Sequence, residues 1–358
     1  MSGSQIRSIA IPVAIFVALA FVPRLSIDLP YVFGDSLNTP GTLQLLALML
    51  VFAGVALSYD VLFGFTGLLS FGHALYFAVG VYMAAIAMTK WHWSFAWSVA
   101  FTAAVGLVLP FVIGAVSLRV AGIAFAMVTL AFAQAGSILV LKNPHGLTGG
   151  EEGLGVDYTK LPAGLVGVFN TKHLYWLALV YAAAVFVIAR IAVESSPGRV
   201  WQAIRENELR VQVLGLRTFD FKLMSFVLSS FLATAGGVVY LLLITGATPE
   251  VTTASFTLSL LVMVVIGGTG TKWGALLGGA IYTYLDHRLG DVAGSHAVSQ
   301  LPSVLRTPLQ EPLFILGVLF ILVVYFVPGG LVRLGARGRP RALRRLEAAL
   351  NPQGEPTA

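Results

Sequence analysis

The chain has 358 residues, of which 57% are hydrophobic and only 11% are charged, with a net charge of +6 and a mean hydropathy of +0.87. This composition is much more apolar than that of soluble domains, so it excludes a soluble globular protein and indicates an integral membrane protein. Cysteine is absent, which excludes disulfides, iron–sulfur clusters and thiolate metal sites.

Apolar segments of membrane-crossing length recur along the whole sequence. A transmembrane helix needs roughly 17 to 25 mostly apolar residues, and the pattern leaves no room for a separate soluble domain. We therefore expect one transmembrane domain, residues 1–358, built as an all-α polytopic bundle of about 10 helices. The spans are predicted at about 8–23, 43–63, 73–89, 95–117, 120–141, 173–193, 222–244, 251–267, 273–289 and 311–328.

The first apolar run, 9–22, follows Arg7 and so has two features of a signal peptide. A cleavage site should show small residues in an A-x-A-like pattern. The run instead ends in Phe21, Val22, Pro23 and Arg24, so we expect an uncleaved first helix.

The distribution of basic residues predicts the orientation of the bundle. With ten spans both termini lie on one side, and that side holds fifteen of the 22 lysines and arginines, including the basic tail 329–358. Cytoplasmic loops are enriched in these residues, so we expect both termini in the cytoplasm. Attraction to anionic lipids explains the tail, and no nucleic-acid partner is needed. The outer loop 142–172 carries Glu151, Glu152 and Asp157.

The inner loop 194–221 is too polar to cross lipid, yet it has the signals of a helix over 196–215. Ser196 is a candidate cap, Pro197 suits the first turn, and Gly215 can end the helix. Helical spacing places four apolar residues on one side: Val200, Ile204, Val211 and Leu214. Such a helix packs on lipid or on a protein. Glu206 and Glu208 dilute its positive charge, which favours a protein partner.

Two glycine-rich segments interrupt the apolar pattern at corresponding places. GFTG at 64–67 and GGTG at 267–270 each lie between two spans, which suggests a parallel internal repeat and a transport pathway at the discontinuities. Glycines also let membrane helices pack closely, and we adopt that interpretation for Gly80, Gly278 and Gly279. In the first segment the hydroxyls of Thr66 and Ser70 can satisfy backbone groups freed by a helix break. The candidate pathway residues are Gly64, Thr66, Gly67, Ser70, Gly72, His73, Gly267, Gly268, Thr269 and Gly270.

Two kinds of chemistry are disfavoured by the residues themselves. His73 is a candidate proton carrier, but a relay needs a chain of ionisable groups, and only Asp60 is near it in sequence. We therefore expect a structural or pathway-lining role for His73. GGTGTKWG at 267–274 lacks the spacing of a phosphate-binding loop, so the chain is not expected to be an enzyme or to hydrolyse ATP itself.

Four blocks of sequence resemble one family. RENELRVQVLGL at 205–216 is similar to the cytoplasmic coupling loop of ABC importer permeases, and most similar to that of branched-chain amino acid permeases of the LivM type. GFTGLLSFGHA at 64–74, LTGGEEGL at 147–154 and VVIGGTGTKWGALLG at 264–278 also match family blocks. In the loop, 209–212 replaces the usual small residues. The residues that match the coupling pattern are Ala203, Ile204, Arg205, Glu206, Asn207, Glu208, Leu214 and Gly215.

The resemblance implies the permease subunit of an ATP-driven importer for branched-chain or hydrophobic amino acids, in the bacterial inner membrane. It also implies a second homologous permease, two cytoplasmic ATPase subunits that hydrolyse the ATP, and an extracytoplasmic binding protein that contacts the outer loop. The chain itself would bind no cofactor. Three alternatives stay open: a urea or short-chain amide importer, an ion-coupled secondary transporter, and a membrane scaffold without transport.

Overall fold

The computed structural model describes residues 3–25, 28, 36–156, 161–162, 164, 170–293, 312–327 and 329–332. Within these ranges the chain is almost entirely helical. The helices are α1 Gly3–Phe21, α2 Pro40–Asp60, α3 His73–Thr89, α4 Phe95–Ser117, α5 Ile123–Lys142, α6 Thr171–Glu194, α7 Ser196–Val213, α8 Thr218–Ile244, α9 Ala254–Gly267, α10 Lys272–Ala293 and α11 Pro312–Phe326.

Five stretches in the described part of the chain are helical, long enough and apolar enough to cross a membrane. They are α2 with its C-terminal extension to Phe65, α4, α5, α6 and α8. α3 and α9 are apolar but shorter, with 17 and 14 residues. A helix coincides with each predicted span, so the expectation of an all-α membrane protein is confirmed. The number of about ten crossings stays a prediction.

Helices α2 and α8 form the centre of the bundle. α2 packs on α6, α8 and α10, while α8 packs on α2, α3 and α4. Small residues permit this approach: a Cβ on Gly80 of α3 would lie 2.0 Å from the carbonyl oxygen of Thr234 in α8. Gly80, Gly278 and Gly279 all meet backbone atoms of neighbouring helices, which confirms that they are packing glycines.

A short antiparallel pairing ties two connections together at the end of the bundle opposite α7. Strand β1, Leu154–Gly155, pairs with β2, Gly246–Ala247, which directly follows α8. Glu151 and Glu152 precede β1 and are exposed in a 3₁₀ turn, Gly150–Glu152, whose first residue is buried. Asp157 and most of the basic tail, 333–358, lie outside the described residues.

Candidate functional site

The first glycine segment breaks the helical path between α2 and α3. α2 ends at Asp60, continues as a π-helical turn over Val61–Phe65, and residues 66–72 are not helical. The Thr66 hydroxyl donates to the carbonyl oxygen of Val61 (3.0 Å), and Ser70 Oγ accepts from the backbone N–H of Gly72 (3.2 Å). The predicted break, and the predicted use of both hydroxyls to satisfy it, are confirmed.

The second glycine segment is a turn between α9 and α10. α9 ends at Gly267, and Gly268 and Gly270 have φ of +117° and +72°. The hydroxyl that closes this turn belongs to Thr271, which donates to the carbonyl oxygen of Gly268 at 2.7 Å. Thr269, the counterpart of Thr66 in the sequence pattern, does not play that part. Gly67, with φ of +79°, matches Gly270, so the last glycine of both G-x-T-G motifs is left-handed, as the proposed repeat requires.

The two glycine turns meet at the side chain of Asp60. Asp60 is fully buried, and its Oδ1 accepts from the backbone N–H of Gly270 at 2.9 Å. A Cβ on Gly64 would lie 1.8 Å from Asp60 Oδ1 and 2.4 Å from the nitrogen of Gly270. Only glycine at position 64 therefore lets the turns approach this closely.

Arg205 of α7 extends into the same place. Its Nη1 donates to the carbonyl oxygen of Gly64, and a Cβ on Gly270 would lie 2.6 Å from that nitrogen. The aliphatic part of Arg205 lies against Gly67, where a Cβ would be 3.1 Å from Arg205 Cγ. The Asp60 carboxyl group and the Arg205 guanidinium therefore lie against the same two glycines, Gly64 and Gly270. We call the cluster of Asp60, Gly64, Gly67, Arg205 and Gly270 the glycine junction.

Asp60 is the member of the junction that the sequence motifs did not single out. Its Oδ2 has no hydrogen-bond partner within the described residues. An acidic residue in an otherwise apolar span is a functional candidate by default, and that signal is present in the sequence between 43 and 63. Its position close to the end of the span made it resemble an ordinary interfacial residue.

His73 is a buried connector between helices. Its Nε2 forms a hydrogen bond with Ser58 Oγ (3.1 Å), and the same hydroxyl donates to the carbonyl oxygen of Val55 (2.7 Å). The hydroxyl of Ser229 in α8 donates to the carbonyl oxygen of Ser58 at 2.6 Å. His73 therefore links the start of α3 to α2 close to its contact with α8, and this geometry favours the structural role.

The other candidate pathway residues differ in exposure. In the first segment Gly67 is exposed, whereas in the second segment Thr269 and Gly270 are half-buried. The remaining candidates are buried: Gly64, Thr66, Ser70, Gly72, Gly267 and Gly268. Whether these residues line a pathway stays a prediction.

α7, the helix of the inner loop, consists of two pieces. Asn207 has φ −161° and ψ +103°, which is not helical, and its Oδ1 accepts from the backbone N–H of Arg210 at 3.1 Å. Asn207 thus caps a second short helix, 208–213. The prediction of one continuous helix was wrong, because the asparagine side chain competes with the helix for backbone hydrogen bonds.

The predicted cap at the start of α7 was also wrong: Ser195, not Ser196, accepts from the N–H of Gly198 (3.3 Å). Gly215 has φ of +83° and follows the helix end as predicted.

The first piece of α7, 196–206, is anchored by Trp201. This side chain is fully buried, and its indole N–H donates to the carbonyl oxygen of Phe221 in α8 at 2.8 Å. Ile204 and, in the second piece, Val211 are also buried. Leu214 was predicted on the packed side but is 78% exposed, because the break at Asn207 changes the helical register.

The two glutamates of the loop differ in their surroundings. Glu208 Oε1 contacts the ammonium group of Lys222, and it accepts from the hydroxyl of Thr218 at 2.9 Å. Glu206 and Ala203, in contrast, are exposed. Three of the eight residues of the coupling pattern therefore hold the loop against the bundle: Ile204 by burial, Arg205 through the glycine junction and Glu208 through α8.

These features define a class of protein: a helical membrane protein with broken segments near its spans and a short helix docked at one end of the bundle. The chain belongs to the family described as the permease component of the branched-chain amino acid transport system, which matches residues 41–324. This confirms the family that the four sequence blocks indicated.

Individual relatives give the breadth of that family. The chain is 27% identical over 260 residues to the high-affinity branched-chain amino acid transport system permease protein LivM of Escherichia coli K12, covering 66% of this chain and 61% of LivM. It is 25% identical over 179 residues to a probable LivM of Methanocaldococcus jannaschii, covering 50% and 51%. The autoinducer 2 import system permease protein LsrC of Escherichia coli O9:H4 is 28% identical over 184 residues, covering 50% and 49%. The matches thus span less than two thirds of these relatives. No solved structure matches the chain.

Proposed function

We propose that the chain is the membrane-spanning permease subunit of an ATP-driven importer for branched-chain or other hydrophobic amino acids. The amino-acid assignment is supported by the family match over 41–324 and by the LivM likeness over 260 residues. The likeness to LsrC extends over only 184 residues. It supports the assignment to a transporter, while the longer LivM match favours amino acids over other small solutes as the substrate.

The observation that carries the mechanism is the contact of Arg205 with both glycine turns. Arg205 lies in the only described segment that resembles a coupling loop, and the turns it contacts end α2 and α9. Packed elements move as rigid units, so a displacement of α7 is transmitted directly to the ends of two helices in the bundle. The function proposed for these residues is conversion of a motor's movement into alternating access.

The assembly proposed around the chain follows from the family. ATP is hydrolysed by two cytoplasmic ATPase subunits that act on the loop 194–221, and a second, homologous permease completes the bundle. An extracytoplasmic binding protein delivers the substrate to the outer loop with Glu151 and Glu152. Both termini then lie in the cytoplasm, in agreement with the charge bias, and 1–358 acts as a single transmembrane domain with a lipid-attracted tail, 329–358.

Reconstitution tests this proposal. The purified chain is placed in liposomes with a homologous permease, ATPase subunits and a binding protein from the same organism, and uptake of radiolabelled leucine is measured. We expect uptake that requires ATP and the binding protein. Uptake by the chain alone under an imposed ion gradient would replace the proposal with ion-coupled transport, and uptake of urea or a short amide in place of leucine would change the substrate.

Charge reversal in the loop separates transport from a scaffold role. Glu206→Lys changes an exposed residue, so we expect the folded bundle to persist while ATPase coupling and uptake are lost. Glu208→Lys also breaks the contact with Lys222, so it should lower the thermal unfolding midpoint as well. If uptake by the assembly is unchanged in both variants, the loop of this chain does not couple ATP hydrolysis to transport, which would favour a scaffold role.

A further inference from the structure

A charged contact joins the end of α6 to the start of α10. Lys272 is the first residue of α10, and its Nζ lies 2.6 Å from Oε1 of Glu194, the last residue of α6. The same oxygen lies 3.3 Å from Nε of Arg190, one turn earlier in α6. One carboxylate thus binds two cations that belong to different helices.

Both charges of this contact have the wrong sign for their own helix. A helix is partially negative at its C-terminus and partially positive at its N-terminus, so an acid at the end and a base at the start are unfavourable. Glu194 ends α6, and Lys272 begins α10. Each charge has the favourable sign for the end of the other helix. Sequences break such local rules chiefly at functional sites, and the contact between the two ends compensates for both charges.

An aromatic contact lies beside the ion pair. The ring of Trp273 in α10 lies 4.8 Å from that of Phe186 in α6, measured between centroids, and Phe186 is buried. Aromatic pairs at this separation contribute more than the area they bury. The first two residues of α10 are therefore both held by α6, one through charge and the other through packing.

The start of α10 is also joined closely to the second glycine turn. The hydroxyl of Thr271, the residue before Lys272, closes that turn on the carbonyl oxygen of Gly268. A Cβ on Gly267 would lie 1.9 Å from the carbonyl oxygen of Gly274, so the end of α9 lies against the first turn of α10. Packed elements move as units, and a displacement of Lys272 therefore displaces the second turn.

On the other side of the ion pair lies the start of the inner loop. Glu194 directly precedes Ser195, which caps α7. The carbonyl oxygen of Glu194 accepts from Arg199 Nη1 at 3.1 Å, and Gln202 Nε2 donates to the carbonyl oxygen of Val193 at 3.3 Å. The first piece of α7 is thus bound to the last turn of α6, and the two move together.

We propose that Glu194 is a second coupling residue, which positions the second glycine turn through Lys272. This inference rests on the proposed function and extends it. Arg205 contacts the turns from the middle of the loop, whereas Glu194 holds the second turn from the start of the loop. The loop therefore acts on that turn at two separate points. Glu194 is a positioning residue, since it acts by keeping the start of α10 attached to α6 when the loop moves.

The amount of leucine taken up per ATP hydrolysed in the reconstituted assembly tests this role. Glu194→Gln removes the carboxylate that binds both Arg190 and Lys272, so we expect this ratio to fall by about threefold or more, as at other positions that carry coupling. Lys272→Gln should have a smaller effect, because Arg190 still binds Glu194. The thermal unfolding midpoint should change little, since Glu194 is 53% exposed and exposed ion pairs contribute little to stability.

Exchange of the charges distinguishes a specific contact from a general loss of structure. The double variant Glu194→Lys with Lys272→Glu keeps one carboxylate and two cations in the same place, and Lys272→Arg keeps the pair. Both should retain most of the wild-type ratio. Arg119→Glu is the control, because it reverses an exposed charge on the connection between α4 and α5, and it should leave the ratio unchanged. A normal ratio in Glu194→Gln, or no recovery in the double variant, would overturn the inference.

A covalent bridge gives a second measurement, because the chain has no native cysteine. Glu194→Cys with Lys272→Cys removes the ion pair, so the ratio should be low while both thiols are free. A short, reducible bis-methanethiosulfonate bridge between them should raise the ratio towards that of the wild type, since it joins α6 to α10 again. No rise on bridging, or a loss of uptake that a reductant reverses, would contradict the inference. Absence of ATP-dependent uptake by the wild-type assembly would instead overturn the proposed function.

Discussion

The two G-x-T-G turns share a sequence pattern and a left-handed last glycine, yet they are stabilised differently. The first turn closes with its own hydroxyls, since Thr66 and Ser70 bond to backbone within the segment. The second turn closes with Thr271 and depends on Asp60, which belongs to the helix before the first turn. The first turn is therefore held by its own hydroxyls together with Arg205 and Thr129, whereas the second turn also depends on a side chain of the helix that precedes the first turn.

Because of this difference, a change in the first segment affects the second turn more directly than the reverse. Anything that moves Asp60 changes a hydrogen bond of the second turn, whereas the hydroxyl bonds of the first turn do not involve the second. Arg205 contacts Gly64 and approaches Gly270, so the loop helix acts on both. The two motifs are alike in sequence, but their contacts are not symmetrical, because the second turn depends on the side chain of Asp60 next to the first turn.

The largest effect is expected from Gly64→Ala. The added Cβ would overlap Asp60 Oδ1 and the nitrogen of Gly270, one of which is a backbone atom with little freedom to move. Overpacking in a buried site costs about 1 to 3 kcal/mol and occasionally more, and we expect the upper end. The thermal unfolding midpoint in detergent measures it. Gly41→Ala is the control, since no atom lies within 4 Å of its Cβ position; equal shifts in the two variants would mean that the turns do not touch.

Asp60→Ala should have the next largest effect. It leaves the Gly270 N–H without its acceptor, and a buried unsatisfied donor costs about 1 to 3 kcal/mol. Asp60→Asn keeps an oxygen for that bond but removes the ionisable group from the glycine junction, so it should be less destabilising and should still reduce uptake in the reconstituted assembly. If Asp60→Asn transports normally, the charge has no part in coupling and the carboxylate is only a hydrogen-bond acceptor.

The sequence predicted the helices and the break well, because both depend on local features. Long apolar runs require helices in lipid, and glycines next to Thr66 and Ser70 marked the discontinuity. It did not predict that Asp60 joins two turns more than two hundred residues apart, because that contact depends on how α2 packs on α10. The interruption of α7 was a local feature that helical spacing concealed: Asn207 has the residue type of a helix cap, and the periodicity of the flanking apolar residues hid it.

The smallest effect distinguishes the threonines of the two motifs. Thr66→Val removes a buried hydrogen bond, worth about 0.5 to 1.5 kcal/mol, whereas Thr269→Val should be nearly neutral because Thr271 closes its turn. Comparison of the two unfolding midpoints checks this. If the two variants are destabilised equally, Thr66 and Thr269 play equivalent parts in their turns, and this prediction is wrong.

The length of α8 has a further consequence. Its 27 residues extend for about 40 Å at 1.5 Å per residue, comparable with the full thickness of a bilayer. At one end it holds Trp201 and Glu208 of α7, and at the other it continues into the strand that pairs with the loop behind Glu151 and Glu152. One continuous helix thus joins the two ends of the bundle, so that under the proposed function a binding protein at one end and an ATPase at the other would act on the same rigid element.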